Sequence, residues 1–131
     1  MTRFALRLAT ALVCFGAIAA PGFAQQIKRQ LLQDTAVPNC QYKAVLFTAE
    51  LPPHSRTGRH THPGIEVGMV LGGVGSIIID GQSDLSLKSG DSYQIPAGVV
   101  HDVFCDGDEP FKLIGTWVVE KDKPMSTKID H

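Results

Sequence analysis

Gly58-Arg59-His60-Thr61-His62-Pro63-Gly64-Ile65-Glu66, followed later by Pro96-Ala97-Gly98-Val99-Val100-His101, decides how the chain is read. The two stretches hold three of the five histidines and, in Glu66, a carboxylate close to them. On a strand the side-chain period is two, so His60 and His62 project to one face. Glu66 keeps that parity, but a straight strand would set it about 13 Å from His62, near the limit at which two side chains meet. A bend at Pro63-Gly64 would close the gap. His101, arriving on a neighbouring strand, would then complete a set of three imidazoles and one carboxylate. Such a set suits a divalent transition metal, Mn, Fe, Ni, Cu or Zn rather than Ca or Mg, and leaves positions open on a six-coordinate ion. Any one of these histidines alone reads as an ordinary surface or core residue. Four groups in this pattern read as a metal site, against the alternative of a metal-free binding barrel.

Outward from these motifs the chain breaks into short apolar runs separated by Gly, Pro, Asp and Ser, the spacing of consecutive strands. The candidates are 42–51, 65–71, 76–80, 84–87, 92–96, 100–105 and 111–120, with turn dipeptides at Asp80-Gly81 and Gly90-Asp91. No helical period appears. Seven strands without helices imply an antiparallel sandwich or barrel. Gly72, Gly73 and Gly75 read as strand-end turns, because no strand-to-helix unit surrounds them to make a nucleotide loop. A polar lead-in, 25–41, precedes the barrel segment 42–120, and a polar tail, 121–131, mobile at its end, follows it.

The 131 residues carry 12 Lys and Arg against 13 Asp and Glu and are 44% apolar. That describes one globular domain without the basic surplus that phosphate-backbone binding needs, so nucleic acid is not expected as a partner. Residues 1–24 read as an export signal: Arg3 and Arg7, an apolar run over 8–20, then Pro21-Gly22-Phe23-Ala24 with cleavage after Ala24. The alternative, an uncleaved anchor, would need a longer run. Val13 before Cys14 argues against lipid attachment there. The mature protein is then 107 residues with a net charge of −3, periplasmic or secreted, with no transmembrane segment of its own. Its two cysteines, Cys40 and Cys105, become a disulfide candidate in an oxidising compartment, the alternative being two free thiols.

The two motifs resemble those of the cupin superfamily. Its first motif runs Gly, five residues, HxH, three or four residues, Glu, six residues, Gly; here His60, His62, Glu66 and Gly73 fit, and His54 stands at the opening glycine. The second runs Gly, five residues, PxG, two residues, His, three residues, Asn; Gly90, Pro96, Gly98 and His101 fit, and Cys105 stands at the Asn. The resemblance covers 42–120. It implies a double-stranded β-helix, the jelly-roll barrel, with His60, His62, Glu66 and His101 as metal ligands, and a homodimer as one possible assembly.

Around that site the remaining residues get plainer readings. His54 is either a surface residue or a base facing the ligands or substrate. Cys105 lies too far along the strand from His101 to ligate, and pairing with Cys40 is its expected role. Arg59 either holds an anionic substrate or is solvated. Asp102 points away from His101 by parity. Tyr93, Trp117, Phe104, Phe111 and Met69 fill the barrel or a dimer contact. The functional expectation is an exported cupin that binds a metal and, at the open position, a small polar molecule, with dioxygenase-type chemistry if it is an enzyme and Glu66 ligated or released to accept a proton. The competing class is a non-catalytic metal or small-ligand binding protein whose metal is structural, favoured by a chain with almost nothing left over for a lid.

Overall fold

From Val45 to Leu51 every second residue is buried, and from Phe111 to Val119 the same alternation returns. That period of two, with one face solvated, is the pattern of antiparallel sheets wrapped round a core. The computed structural model describes residues 26–130, and the expected export signal, 1–24, lies outside them. The described residues form ten strands: β1 (Lys28–Ala36), β2 (Tyr42–Leu51), β3 (His60–Thr61), β4 (Gly64–Gly72), β5 (Val74–Ile79), β6 (Leu85–Lys88), β7 (Ser92–Ile95), β8 (His101–Cys105), β9 (Phe111–Glu120) and β10 (Thr127–Lys128). None of the described residues forms a helix long and apolar enough to cross a membrane.

The strands make two five-stranded sheets, β1-β2-β9-β4-β7 and β10-β3-β8-β5-β6. Their inner faces enclose a core led by Phe111, Leu51, Ile77 and Ile79, each at most 1% exposed. This is the expected double-stranded β-helix. β2 and β9 pair over ten residues, from Tyr42 opposite Glu120 to Leu51 opposite Phe111, and this ladder carries the first sheet.

Two segments depart from their sequence reading. The polar lead-in contains β1, which pairs with β2 along its length although all nine of its residues are exposed. An edge strand takes its conformation from the ladder it joins, so its own composition is a poor signal. The polar tail also returns to the barrel: β10 pairs with β3, and Ile129 N–H donates to the Arg59 carbonyl at 3.1 Å.

The expected pairing of Cys40 with Cys105 is not made; both thiols are free. Cys105 is buried at the Phe111 end of the barrel, its thiol 3.3 Å from the Glu109 carbonyl. Cys40 is exposed at the opposite end, where its carbonyl accepts from Lys121 Nζ at 2.8 Å. The length of the β2–β9 ladder, about 30 Å, separates them, several times the Cα separation a disulfide can span.

The motif glycines also find a physical reason. Gly73, Gly90 and Gly98 all have positive φ, and His54, at the position of the missing motif glycine, has φ 58°. The turn keeps the left-handed backbone and tolerates a side chain in it.

Candidate metal centre

His60 stands directly opposite His101 in the β3–β8 ladder, so register alone brings these rings together, 4.2 Å between centroids. His62 follows at the point where the chain leaves the second sheet. Pro63-Gly64 then turns it into β4 of the first, the bend the sequence required. Gly64 is needed there, because a Cβ would run into the Val118 carbonyl of β9. The His62 ring lies 5.0 Å from each of the other two. All three histidines are buried, and one nitrogen from each lies within 4.8 Å of the others.

Each ring is oriented through Nδ1, which donates to a backbone carbonyl: Gly58 for His60 at 2.7 Å, Met125 for His62 at 2.6 Å, Val99 for His101 at 3.0 Å. A carbonyl only accepts, so Nδ1 carries a proton, and in the neutral form of each ring Nε2 holds the lone pair. Nε2 of His62 and of His101 are buried with no hydrogen-bond partner. Buried acceptors left bare in this way are unfavourable unless a cation takes them. Orientation of the far nitrogen by a carbonyl is also how metal-ligating histidines are held. Burial, reinforced by the neighbouring imidazoles and opposed by the Gly58 carbonyl, pulls His60 down from 6.5 to about 4. Burial likewise lowers His101. Rings kept neutral are rings ready to ligate, and the donor set fits a divalent transition metal.

Glu66 reaches the cluster from β4, 5% exposed, with Oε2 3.0 Å from His62 Nε2. That contact has the distance of an ion pair without hydrogen-bond alignment, and two lone-pair atoms so placed call for a proton or a metal between them. The Tyr93 hydroxyl donates to Oε1 at 2.8 Å and the Trp117 indole to Oε2 at 2.6 Å. Burial would push the carboxyl up, but the contacts from His62, Trp117 and Tyr93 outweigh it and hold Glu66 below its ordinary value. Burial and the adjacent Glu66 charge raise Tyr93, which therefore stays a donor. Of the four expected ligands, then, three imidazoles converge and Glu66 lies against one of them.

Three supporting contacts were outside the sequence reading. Tyr93 and Trp117, read there as filling, are the hydrogen-bond donors that keep Glu66 ionised; their polar tips and inward parity were the available signal. The third is the Met125 carbonyl, from a tail with no motif at all. Asp102 points away from His101 as expected. It accepts from Gly58 N–H at 2.9 Å and Thr57 Oγ1 at 3.1 Å and pairs with Arg56, fixing the loop whose Gly58 carbonyl orients His60. Arg59 is spent on a forked pair with Asp80, at 3.1 and 2.6 Å. His54 is exposed and bonded to Asp108 at 2.9 Å. Of the other aromatic and sulfur residues, Phe111 is core, Phe104 carries the Arg56 guanidinium 4.6 Å above its ring, and Met69 faces out, 43% exposed.

The space between the ligands is small, about 20 Å³, and Phe47, Leu51, Val103 and Leu113 help to wall it. It admits roughly one water. A larger groove, about 660 Å³, lies outside the barrel among Leu46, Val67, Met69 and Ile114 and touches none of the histidines. It is open and holds no charged side chain, so the chemistry belongs to the narrow site.

No curated protein sequence matches the chain. Among solved structures it is similar to an uncharacterized conserved protein with a double-stranded β-helix domain from Klebsiella pneumoniae, with 20% identity, TM-score 0.66, and 83% of this chain aligned to 89% of that one. It is similar to the DMSP lyase DddQ from Ruegeria pomeroyi, with 18% identity and TM-score 0.66 over 90% of this chain and 59% of the lyase. A salicylate 1,2-dioxygenase from Pseudaminobacter salicylatoxidans aligns at 20% identity and TM-score 0.52, over 56% of this chain and 20% of the enzyme. The chain thus spans less than two thirds of either enzyme. The profile of the Cupin domain family matches residues 47–119, more than half of the sequence and both motifs. The chain belongs to the cupin family.

Proposed function

We propose that the protein is an exported cupin that holds one divalent transition metal on His60, His62 and His101, with Glu66 beside them, and binds a small polar molecule at the remaining position. The observation that carries this reading is the convergence of three buried imidazoles, with Nε2 of His62 and of His101 left without a hydrogen-bond partner. A metal bound there would act as a Lewis acid or as an oxygen-activating centre. Glu66 either completes the ligand set or accepts a proton, and Tyr93 and Trp117 hold its charge in place for both roles. Dioxygenase-type chemistry is the finer reading, in line with one enzyme of the same fold. Metal content of the purified protein, followed by oxygen uptake with a panel of diols and 2-oxo acids, tests it. A protein that takes up no transition metal would defeat the reading, and His101→Ala is expected to abolish uptake.

One observation favours a non-catalytic binding protein with a structural metal: the site has room for only about one water. Metal uptake that raises thermal stability, with no turnover of any panel member, would select it. The outer face of the first sheet offers a place for a second copy. Leu46, Thr116, Val118, Ile65, Val67 and Met69 make an uncharged surface over three adjacent strands, about 400 Å² in flat area by strand spacing and rise. That supports a weak, concentration-dependent homodimer at the small end of specific interfaces.

A further inference from the structure

Arg29 is the unused charge next to the site. It lies on β1 opposite Ala49, with Leu31 opposite Phe47. Paired residues in a ladder project to the same side, and Ala49 and Phe47 both line the histidine pocket, so Arg29 comes in over its rim and is part of the same lining. The charges around it are already matched. Lys28 and Lys112 face Glu50 at 3.6 and 3.9 Å, and Asp34 takes Lys43 at 2.8 Å. Arg29 has no ion pair among the described residues. Glu66, the one carboxylate in the pocket, gives its oxygens to Tyr93, Trp117 and His62.

We infer that Arg29 selects a small carboxylate or similar oxoanion as the ligand of this site, an inference that rests on the metal reading above. With a divalent cation on three neutral imidazoles, Glu66 leaves the buried site a net charge of +1, and Arg29 adds a second positive charge at the exposed rim. An uncompensated charge in a desolvated site is strongly unfavourable, and an incoming anion removes it. Arginine offers a planar fork matched to a carboxylate. The narrow interior limits what enters to a small head group, while Arg29, exposed at the rim, remains able to meet it. An inward charge on an edge strand also discourages edge-to-edge pairing, but that function needs no ligand and separates cleanly in a binding experiment.

The test uses the cobalt(II)-loaded protein, read by the visible cobalt band and by the fluorescence of Trp117, the only tryptophan and part of the pocket wall. Oxalate is expected to perturb both signals and oxamide, its uncharged isostere, neither. Arg29→Gln should still take up cobalt but weaken oxalate by about tenfold or more, the worth of a charge-assisted hydrogen bond. Arg29→Lys should recover part of the loss. Oxalate binding to Arg29→Gln within about twofold of the wild type, less than one hydrogen bond is worth, would overturn the role of Arg29 and leave the metal site standing. A cobalt band insensitive to oxalate in the wild type would do the same. Absence of any cobalt band would instead overturn the metal reading and the anion site with it.

Discussion

The two faces of β4 invert the usual rule. Outward it presents Ile65, Val67, Met69 and Leu71, each 40–48% exposed, and inward it presents Gly64, Glu66, Gly68 and Val70, with Glu66 only 5% exposed. Hydrophobic alternation alone would turn the strand over, since a slip of one residue exchanges the faces. What fixes the observed side is the space the glycines leave. A Cβ on Gly68 would meet the Tyr93 hydroxyl at 2.5 Å, and one on Gly115, its partner in β9, would meet the Phe47 ring at 2.7 Å. Neighbouring strands thus supply the bulk that β4 lacks: Tyr93 and Trp117 close over Glu66, and Phe47 stacks on Trp117 at 3.9 Å. Burial here follows from who fills the space, and polarity follows from the chemistry that space is kept for.

The largest effects are expected on the inner face. Gly64→Ala would press a methyl group into the Val118 backbone, where neither side can move easily, and should destabilise the fold by about 3 kcal/mol. Thermal unfolding reads this directly, and a variant as stable as the wild type would break the close-approach argument. Trp117→Phe keeps the ring stack but takes one donor from a buried carboxylate. It is expected to lose about 2.5 kcal/mol and to return the Glu66 carboxyl toward a higher pKa, followed by carboxyl signals in NMR or infrared titration.

Acid should act on the same face with a smaller effect. His60, held near 4, stays neutral in the folded metal-free protein while the unfolded chain takes up a proton below about 6.5. The unfolded state then binds more protons, so stability falls as pH drops from about 6.5 toward 4. Glu66, held below its ordinary value, works in the same direction at the lower end, its contribution being lost as pH falls through its folded pKa. After discounting for the opening at the pocket mouth, about 2 kcal/mol is expected from His60. Denaturant midpoints of the metal-free protein between pH 7 and pH 4 measure it, and a flat profile would mean the imidazoles are solvated.

How much of this was legible in the sequence depends on whether a residue's role is local. β2 and β9 match their expected bounds, 42–51 and 111–120, because alternation and flanking turns are local signals. The three histidines were legible through spacing, and Glu66 through parity plus the Pro63-Gly64 bend. β1 was not, because a nine-residue exposed strand is defined by its partner. Nor were the contacts of Tyr93, Trp117 and Met125, which come from residues 27, 51 and 63 positions away. The cysteine pair failed for the complementary reason: counting thiols carries no information on which end of a 30 Å ladder each occupies.

The outer face gives the smallest change in stability and the sharpest contrast. Val67→Lys together with Met69→Lys places two charges on side chains already about 40% exposed, so unfolding should shift by no more than about 0.5 kcal/mol per site and cobalt uptake should not change. What should change is mass. If a second copy covers this face, wild-type protein will show a concentration-dependent increase toward the dimer in analytical ultracentrifugation, and the double variant will stay monomeric because like charges meet across an interface that repeats the same patch. A wild type that is monomeric throughout would leave the apolar outer face without a partner of its own kind. A double variant that unfolds would show that β4 depends on its outer side chains as much as on its glycines.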